Sequence, residues 1–189
     1  MPARIGVLAL QGDFREHLAT LAALGAEGSE VRTPAQLEAV DALIIPGGES
    51  TTIGKLAMRF GLMEPLRARI EEDMPVFGTC AGMILLAREV TEGEQPLLGA
   101  LDVVVERNAF GRQNESFEEE LAVEGLEEPF RAVFIRAPWV AKVGDGVEVL
   151  ASVEDHPVMV RQSRIIATSF HPELTGDHRL HQMLLDLAS

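Results

Sequence analysis

The sequence predicts an α/β fold: a three-layer, doubly wound sheet that is mostly parallel and carries antiparallel or mixed additions at its edge. Two observations predict it. In the first half of the chain, short apolar runs without polar alternation, as buried parallel strands require, alternate with helical segments. In the second half, short β segments are joined by turn-rich pieces such as Gly144-Asp145-Gly146, the pattern of antiparallel strands. No internal repeat, low-complexity tract or linker interrupts the 189 residues. One domain over 1–189 is expected, long enough to bury a full core without a disulfide or metal.

Taken in order, Ile5 to Leu10 reads as a buried strand, followed by a helix that Asp13 can cap and that runs to Leu24. Val31 closes a second short strand, Ala42 to Ile45 forms a third, and Pro46-Gly47-Gly48 ends it. Helices from about Thr51 to Phe60 and from about Pro65 to Glu72 lead into an apolar strand that ends before Cys80. Beyond it lie β segments near Leu101 to Glu106, Ala132 to Arg136, Val147 to Val153, Val158 to Arg161 and Ile165 to Phe170, then a closing helix after His178. Ligands of such sheets bind at the carboxyl ends of the strands. Gly47, Gly48 and Cys80 all lie at such ends.

Charge and composition narrow the function. With 16 Lys and Arg against 30 Asp and Glu, the formal charge of −14 disfavours a phosphate-backbone binder, which relies on clustered cations. The acidic runs at Glu115 to Glu120 and Glu124 to Glu128 read as solvated faces. A single cysteine excludes an internal disulfide, no apolar run approaches the roughly 20 residues that span a bilayer, and no cationic leader is visible. A cytoplasmic protein without a membrane or nucleic-acid partner is expected.

Cys80 occupies the corner Gly78-Thr79-Cys80-Ala81-Gly82 between the apolar strand and an apolar helix. A side chain lifted above a strand end needs a tight, strained turn, and glycines two residues away on either side remove the Cβ atoms that would collide there. The following helix N-terminus favours a thiolate and can hold an oxyanion on backbone N–H groups such as that of Ala81. A cysteine nucleophile needs a base and a third group that fixes the base. Among five histidines, His17 reads as a first-helix surface residue, His178 and His181 as helix-end residues and His156 as a turn residue. His171 stands apart: it ends a strand, and in extended backbone Glu173 points the same way, with Pro172 stiffening the link. The run Ile45-Pro46-Gly47-Gly48-Glu49-Ser50 offers unobstructed N–H groups beside a strand end. It is not a phosphate-binding loop: the interval from Gly48 to Gly54 and Lys55 is one residue too long, and Leu56 replaces the Ser or Thr that would hold magnesium.

Together, Pro46 to Ser50, Gly78 to Gly82 and Ser169 to Glu173 resemble the class I, triad-type glutamine amidotransferases. Leu8 to Gly12, Gly47 to Thr52, Val104 to Gln113 and Ala132 to Pro138 are similar, more narrowly, to the glutaminase subunits of pyridoxal 5′-phosphate synthase. The resemblance implies Cys80 as nucleophile, His171 as general acid and base, and Glu173 as its orienter. It implies that Gly48, Glu49, Ser50, Arg107, Ile135 and Arg136 hold L-glutamine, with Gly47, Gly48 and Ala81 at the oxyanion. It implies no metal or cofactor, and a synthase subunit that docks, wakes the glutaminase and accepts the ammonia. A cysteine peptidase or small hydrolase of the same architecture, or a binding module, also suits a strand-to-helix cysteine, without calling for the Arg107 and Arg136 segments.

Overall fold

The computed structural model describes residues 1–189. Its main sheet has seven strands: β1 (Arg4–Leu8), β2 (Glu27–Val31), β3 (Ala42–Ile45), β4 (Val76–Thr79), β10 (Glu148–Val153), β11 (His156–Gln162) and β12 (Ile165–Thr168). They run in the order β10-β11-β12-β4-β3-β1-β2. Five are parallel, from β2 to β12, while β11 and β10 add antiparallel at one edge. Helices α1 (Phe14–Ala23), α2 (Pro34–Glu38), α3 (Ser50–Arg59), α4 (Met63–Glu71), α5 (Ala81–Leu86) and α6 (Arg179–Ala188) complete the layers.

Three layers follow from strands that are apolar on both faces. Leu43 and Ile45 of β3 join one core cluster with Ile53 and Ala57 of α3 and Leu66 of α4. Ala42 and Ile44, on the opposite face, join the other with Phe14 and Leu21 of α1 and Leu180 and Leu184 of α6. Side chains of a strand alternate between faces, so a run of consecutive apolar residues feeds two cores at once.

Two predicted segments lie elsewhere than expected. The strands at Leu101–Glu106 (β6) and Phe130–Ile135 (β8) are not edge additions to the main sheet. β6 pairs with β5 (Ala87–Val90) and β9 (Trp139–Val143), and β8 pairs with β7 (Ser116–Leu121). The acidic run lies on β7, with Glu118, Glu119 and Glu120 all exposed; Glu118 and Glu120 point to the face of that ribbon opposite Phe117. Phe117 and Phe134 stack across it at 4.6 Å, and Phe134 reaches Phe170 at 5.4 Å, which docks the ribbon beside the carboxyl ends of the parallel strands.

Candidate active site

The carboxyl ends of β1, β3, β4 and β12 converge on one cleft of about 660 Å³. It is lined by Gly47, Gly48, Glu49, Ser50, Cys80, Ala81, Arg107, Ile135, Arg136 and His171, every expected site residue except Glu173, which stands behind His171.

Cys80 sits at φ +52° and ψ −102°, a conformation that costs a non-glycine residue about 1–3 kcal/mol unless its surroundings enforce it. Here they do. The Cys80 N–H donates to the Thr168 carbonyl at 2.8 Å, tying the corner to β12. A Cβ on Gly82 would lie 2.1 Å from the Ile45 carbonyl oxygen, and one on Gly78 would lie 2.6 Å from Leu86 and 2.8 Å from the Gly82 backbone. Only glycine lets β3, β4 and α5 approach this closely, which is the clearance anticipated from the sequence.

His171 and Glu173 meet, although by a different backbone from the extended one expected. β12 stops at Thr168, whose hydroxyl donates to the Phe170 carbonyl at 2.9 Å; the His171 N–H then donates to Val133 of β8 at 2.8 Å. His171 leads into a 3₁₀ turn over Pro172–Leu174. Proline suits the first position of such a turn, where its missing N–H has no partner to lose. The turn brings Glu173 Oε2 within 3.1 Å of His171 Nδ1, so Nε2 is the ring nitrogen left for chemistry.

Asp13 adds a second carboxylate. It opens α1 without a side-chain capping bond, and instead Oδ2 lies 3.4 Å from His171 Nδ1. Burial works against a charged His171, but Asp13, Cys80 and Glu173 outweigh it and lift the imidazole to about 12, so it is an imidazolium. Burial also pushes Asp13 up, yet its contact with His171 wins and holds it low. Burial raises Glu173, and His171 opposes that rise.

His17 and His181 are not surface residues. Both are fully buried, because α1 and α6 pack on the sheet directly under the site. His17 Nδ1 lies 2.8 Å from His181 Nε2, and His17 Nε2 lies 3.1 Å from Thr79 Oγ1 and 3.5 Å from Glu173 Oε2. Burial drives His17 down to about 4 and His181 to about 3, so both rings are neutral. Asp13, His17 and Glu173 bring potential metal-ligand atoms within 4.8 Å of one another. The contacts of His17 with Thr79 and of Glu173 with His171 already engage two of the three.

The front wall is looser. Glu49 turns its carboxylate back to cap α3, accepting from the Thr51 and Thr52 N–H groups at 3.1 and 2.8 Å. Its own N–H donates to Gln11 Oε1 at 2.8 Å, and Gly47 O accepts from the Asp13 N–H at 3.1 Å, so the glycine loop is fastened to the end of β1. Gln95 bridges Ser50 and Arg107: its Nε2 donates to Ser50 Oγ at 3.1 Å, and its Oε1 accepts from the Arg107 guanidinium at 2.8 Å. Arg136 stands at φ +45° just beyond Ile135 at the end of β8. Gln11, Asp13, His17, Gln95 and His181 were not anticipated in these places. The i, i+4 spacing of Asp13 and His17 on α1 is the one sequence signal for them, since it sets both on a single helix face; Gln95 had none.

The chain matches the model of the SNO glutamine amidotransferase family over residues 7–188. It is 62% identical over 187 residues to pyridoxal 5′-phosphate synthase subunit PdxT of Parafrankia sp. (strain EAN1pec), covering 97% of this chain and 92% of that protein. The PdxT subunit of Thermus thermophilus is also 62% identical, over 186 residues and 97% of both chains. A solved glutamine amidotransferase superposes with a TM-score of 0.94 at 60% identity, covering 97% of this chain and 98% of its own. PurLQS from Thermotoga maritima, 18% identical, shares the fold at a TM-score of 0.74 over the whole of both chains. By its sequence and by the architecture that carries Cys80, His171 and Glu173, the chain belongs to the SNO glutamine amidotransferase family.

Proposed function

We propose that this chain is the glutaminase subunit of a pyridoxal 5′-phosphate synthase, acting in the cytoplasm as one domain over residues 1–189. No helix is long and apolar enough to cross a membrane. The thiolate of Cys80 attacks the side-chain amide carbon of L-glutamine, and the N–H groups of Gly47, Gly48 and Ala81 receive the oxyanion, each such donor contributing on the order of 3 kcal/mol. His171 gives its proton to the departing nitrogen, so ammonia leaves and a γ-glutamyl thioester remains. Neutral His171 then takes a proton from water as the water attacks the thioester. Glutamate departs, and the thiolate and imidazolium are restored. Glu173 keeps the ring's Nδ1 engaged throughout, so that Nε2 faces the reacting atoms.

Glutamine is held by Arg107 and Arg136 at its α-carboxylate end and by Gly48, Glu49, Ser50 and Ile135 along the rest of the cleft. Ammonia released into water would be protonated and lost, which is why the activity needs a docked acceptor. That acceptor is the synthase subunit that builds pyridoxal 5′-phosphate from ribose 5-phosphate and glyceraldehyde 3-phosphate.

The observation that carries this reading is the 3.1 Å carboxylate–imidazole contact behind a cysteine held at φ +52° on the same cleft. Its test is ammonia release from glutamine by the isolated chain and by its complex with the synthase. Release that rises on docking and vanishes with Cys80→Ala supports the reading. Equal high rates with and without the synthase would remove activation by docking, and release that survives Cys80→Ala would remove the nucleophile.

A further inference from the structure

We propose that His17 is a positioning residue for glutamine hydrolysis: it presents its Nε2–H to Glu173 and so holds the carboxylate that orients His171, while His181 fixes the tautomer in which it can do so. The inference rests on the glutaminase reading above.

Four buried groups make the case. Glu173 is a buried carboxylate whose Oε1 has no hydrogen-bond partner, so Oε2 carries its contacts with His171 at 3.1 Å and His17 at 3.5 Å. At 3.5 Å the second is an ion–dipole contact, longer than a good hydrogen bond, and its sign depends on whether the ring nitrogen carries the proton. A proton on Nε2 places a positive end against the carboxylate and lets the same N–H reach Thr79 Oγ1 at 3.1 Å. Where the imidazolium of His171 on the same oxygen keeps Glu173 ionised, a bare Nε2 would set a lone pair against that carboxylate inside a low-dielectric interior, where the repulsion is least screened.

The tautomer propagates. With its proton on Nε2, His17 has an accepting Nδ1, which lies 2.8 Å from His181 Nε2. His181 must then carry its own proton on Nε2, leaving Nδ1 as the bare nitrogen. That Nδ1 is the ring atom without a partner. The chain runs His181 Nε2–H to His17 Nδ1, then His17 Nε2–H toward Glu173 Oε2, and every N–H in it finds an acceptor. The opposite order would leave a buried N–H of His181 with no acceptor and turn a lone pair toward Glu173, whereas the first order leaves only the hydroxyl hydrogen of Thr79 to be placed. Histidines that only filled space under the sheet would gain nothing from this arrangement, because apolar residues of similar volume fill such space without burying ring nitrogens.

The test uses the complex with the synthase. His17→Leu should lower kcat for glutamine on the order of 10²-fold, as small displacements of catalytic groups do, with KM unchanged because His17 does not line the cleft. His17→Gln, whose amide N–H can occupy the Nε2 place, should restore most of that loss. In a Glu173→Ala background His17→Leu should have no further effect, since the group it acts through is gone. A full repeat of the loss in that background, or an unchanged kcat, would overturn the inference. Wild-type tautomers, read by ¹⁵N NMR of the histidine rings, decide it without any variant: protons on Nε2 of both His17 and His181 support it, and a proton on Nδ1 of His17 overturns it. Absence of glutamine turnover by the wild-type complex would instead sink the glutaminase reading.

Discussion

The two sides of His171 are built differently. Behind the ring lies a buried, crowded set of polar groups, Glu173, His17, Thr79 and His181, under helices α1 and α6. In front lies an open cleft where Glu49 and Arg107 are exposed, Glu49 accepting from Thr51 and Thr52 and Arg107 donating to Gln95 and, at longer range, to Thr51 and the Glu92 carbonyl. The difference separates two jobs. Chemistry depends on placing a ring and a thiol to within a fraction of an ångström, and only packed core supplies that. Substrate recognition tolerates, and for entry and exit requires, a wall that can give.

The contrast can be broken most severely at the thiol. Cys80→Ala should abolish glutamine-dependent ammonia release, a loss on the order of 10⁶-fold, while the midpoint of thermal unfolding barely moves. Retained turnover would show that the reacting atom lies elsewhere. At the scaffold, Gly82→Ala sets a Cβ 2.1 Å from the Ile45 carbonyl, a backbone atom with nowhere to go. A loss of about 3 kcal/mol of unfolding free energy in denaturant titration is expected, and an unchanged midpoint would mean that the corner is softer than described.

Acid should reach the rear before the front. His17 and His181 are held neutral in the fold, below the ordinary value of 6.5, at about 4 and about 3. Between those values the unfolded chain binds protons that the folded chain refuses, so the stability they contribute is complete above pH 6.5 and is lost as pH falls. His181→Gln cannot titrate there. Relative to it, the wild type should lose roughly 3 kcal/mol between pH 7 and pH 4, and parallel stability curves would contradict the burial argument. The smallest change belongs to the front wall. Arg107→Gln should raise KM for glutamine about 10- to 30-fold, one charge-assisted contact, with kcat within a factor of about three. A fall in kcat at unchanged KM would place Arg107 with the rear group instead.

What the sequence revealed follows the same division. The corner around Cys80 was legible because its constraint is local: Gly78 and Gly82 are spaced for a tight strand-to-helix turn, and the turn is where they are found. The parallel order of the first half was legible from apolar runs. The pairing of His171 with Glu173 was foreseen from their two-residue spacing, yet the backbone that produces it is a 3₁₀ turn after a shorter strand, set by the Val133 carbonyl on a distant strand. His17 reads as a surface residue of the first helix and His181 as a helix-end residue, because such positions are usually solvated. They are buried because α6 folds back against α1 and brings together two residues 164 positions apart, and no local pattern contains that. The same holds for Gln95, which joins Ser50 to Arg107 from a segment without regular structure.

The most direct measurement of whether thiol, imidazole and carboxylate work as one unit is the rate at which a glutamine-analogue electrophile modifies the docked protein, followed by mass spectrometry of the peptide around residue 80. One adduct on Cys80, absent in Cys80→Ala and formed at least about 100-fold more slowly in His171→Ala, is the expected result. Modification of another residue, or a rate indifferent to the loss of His171, would contradict it.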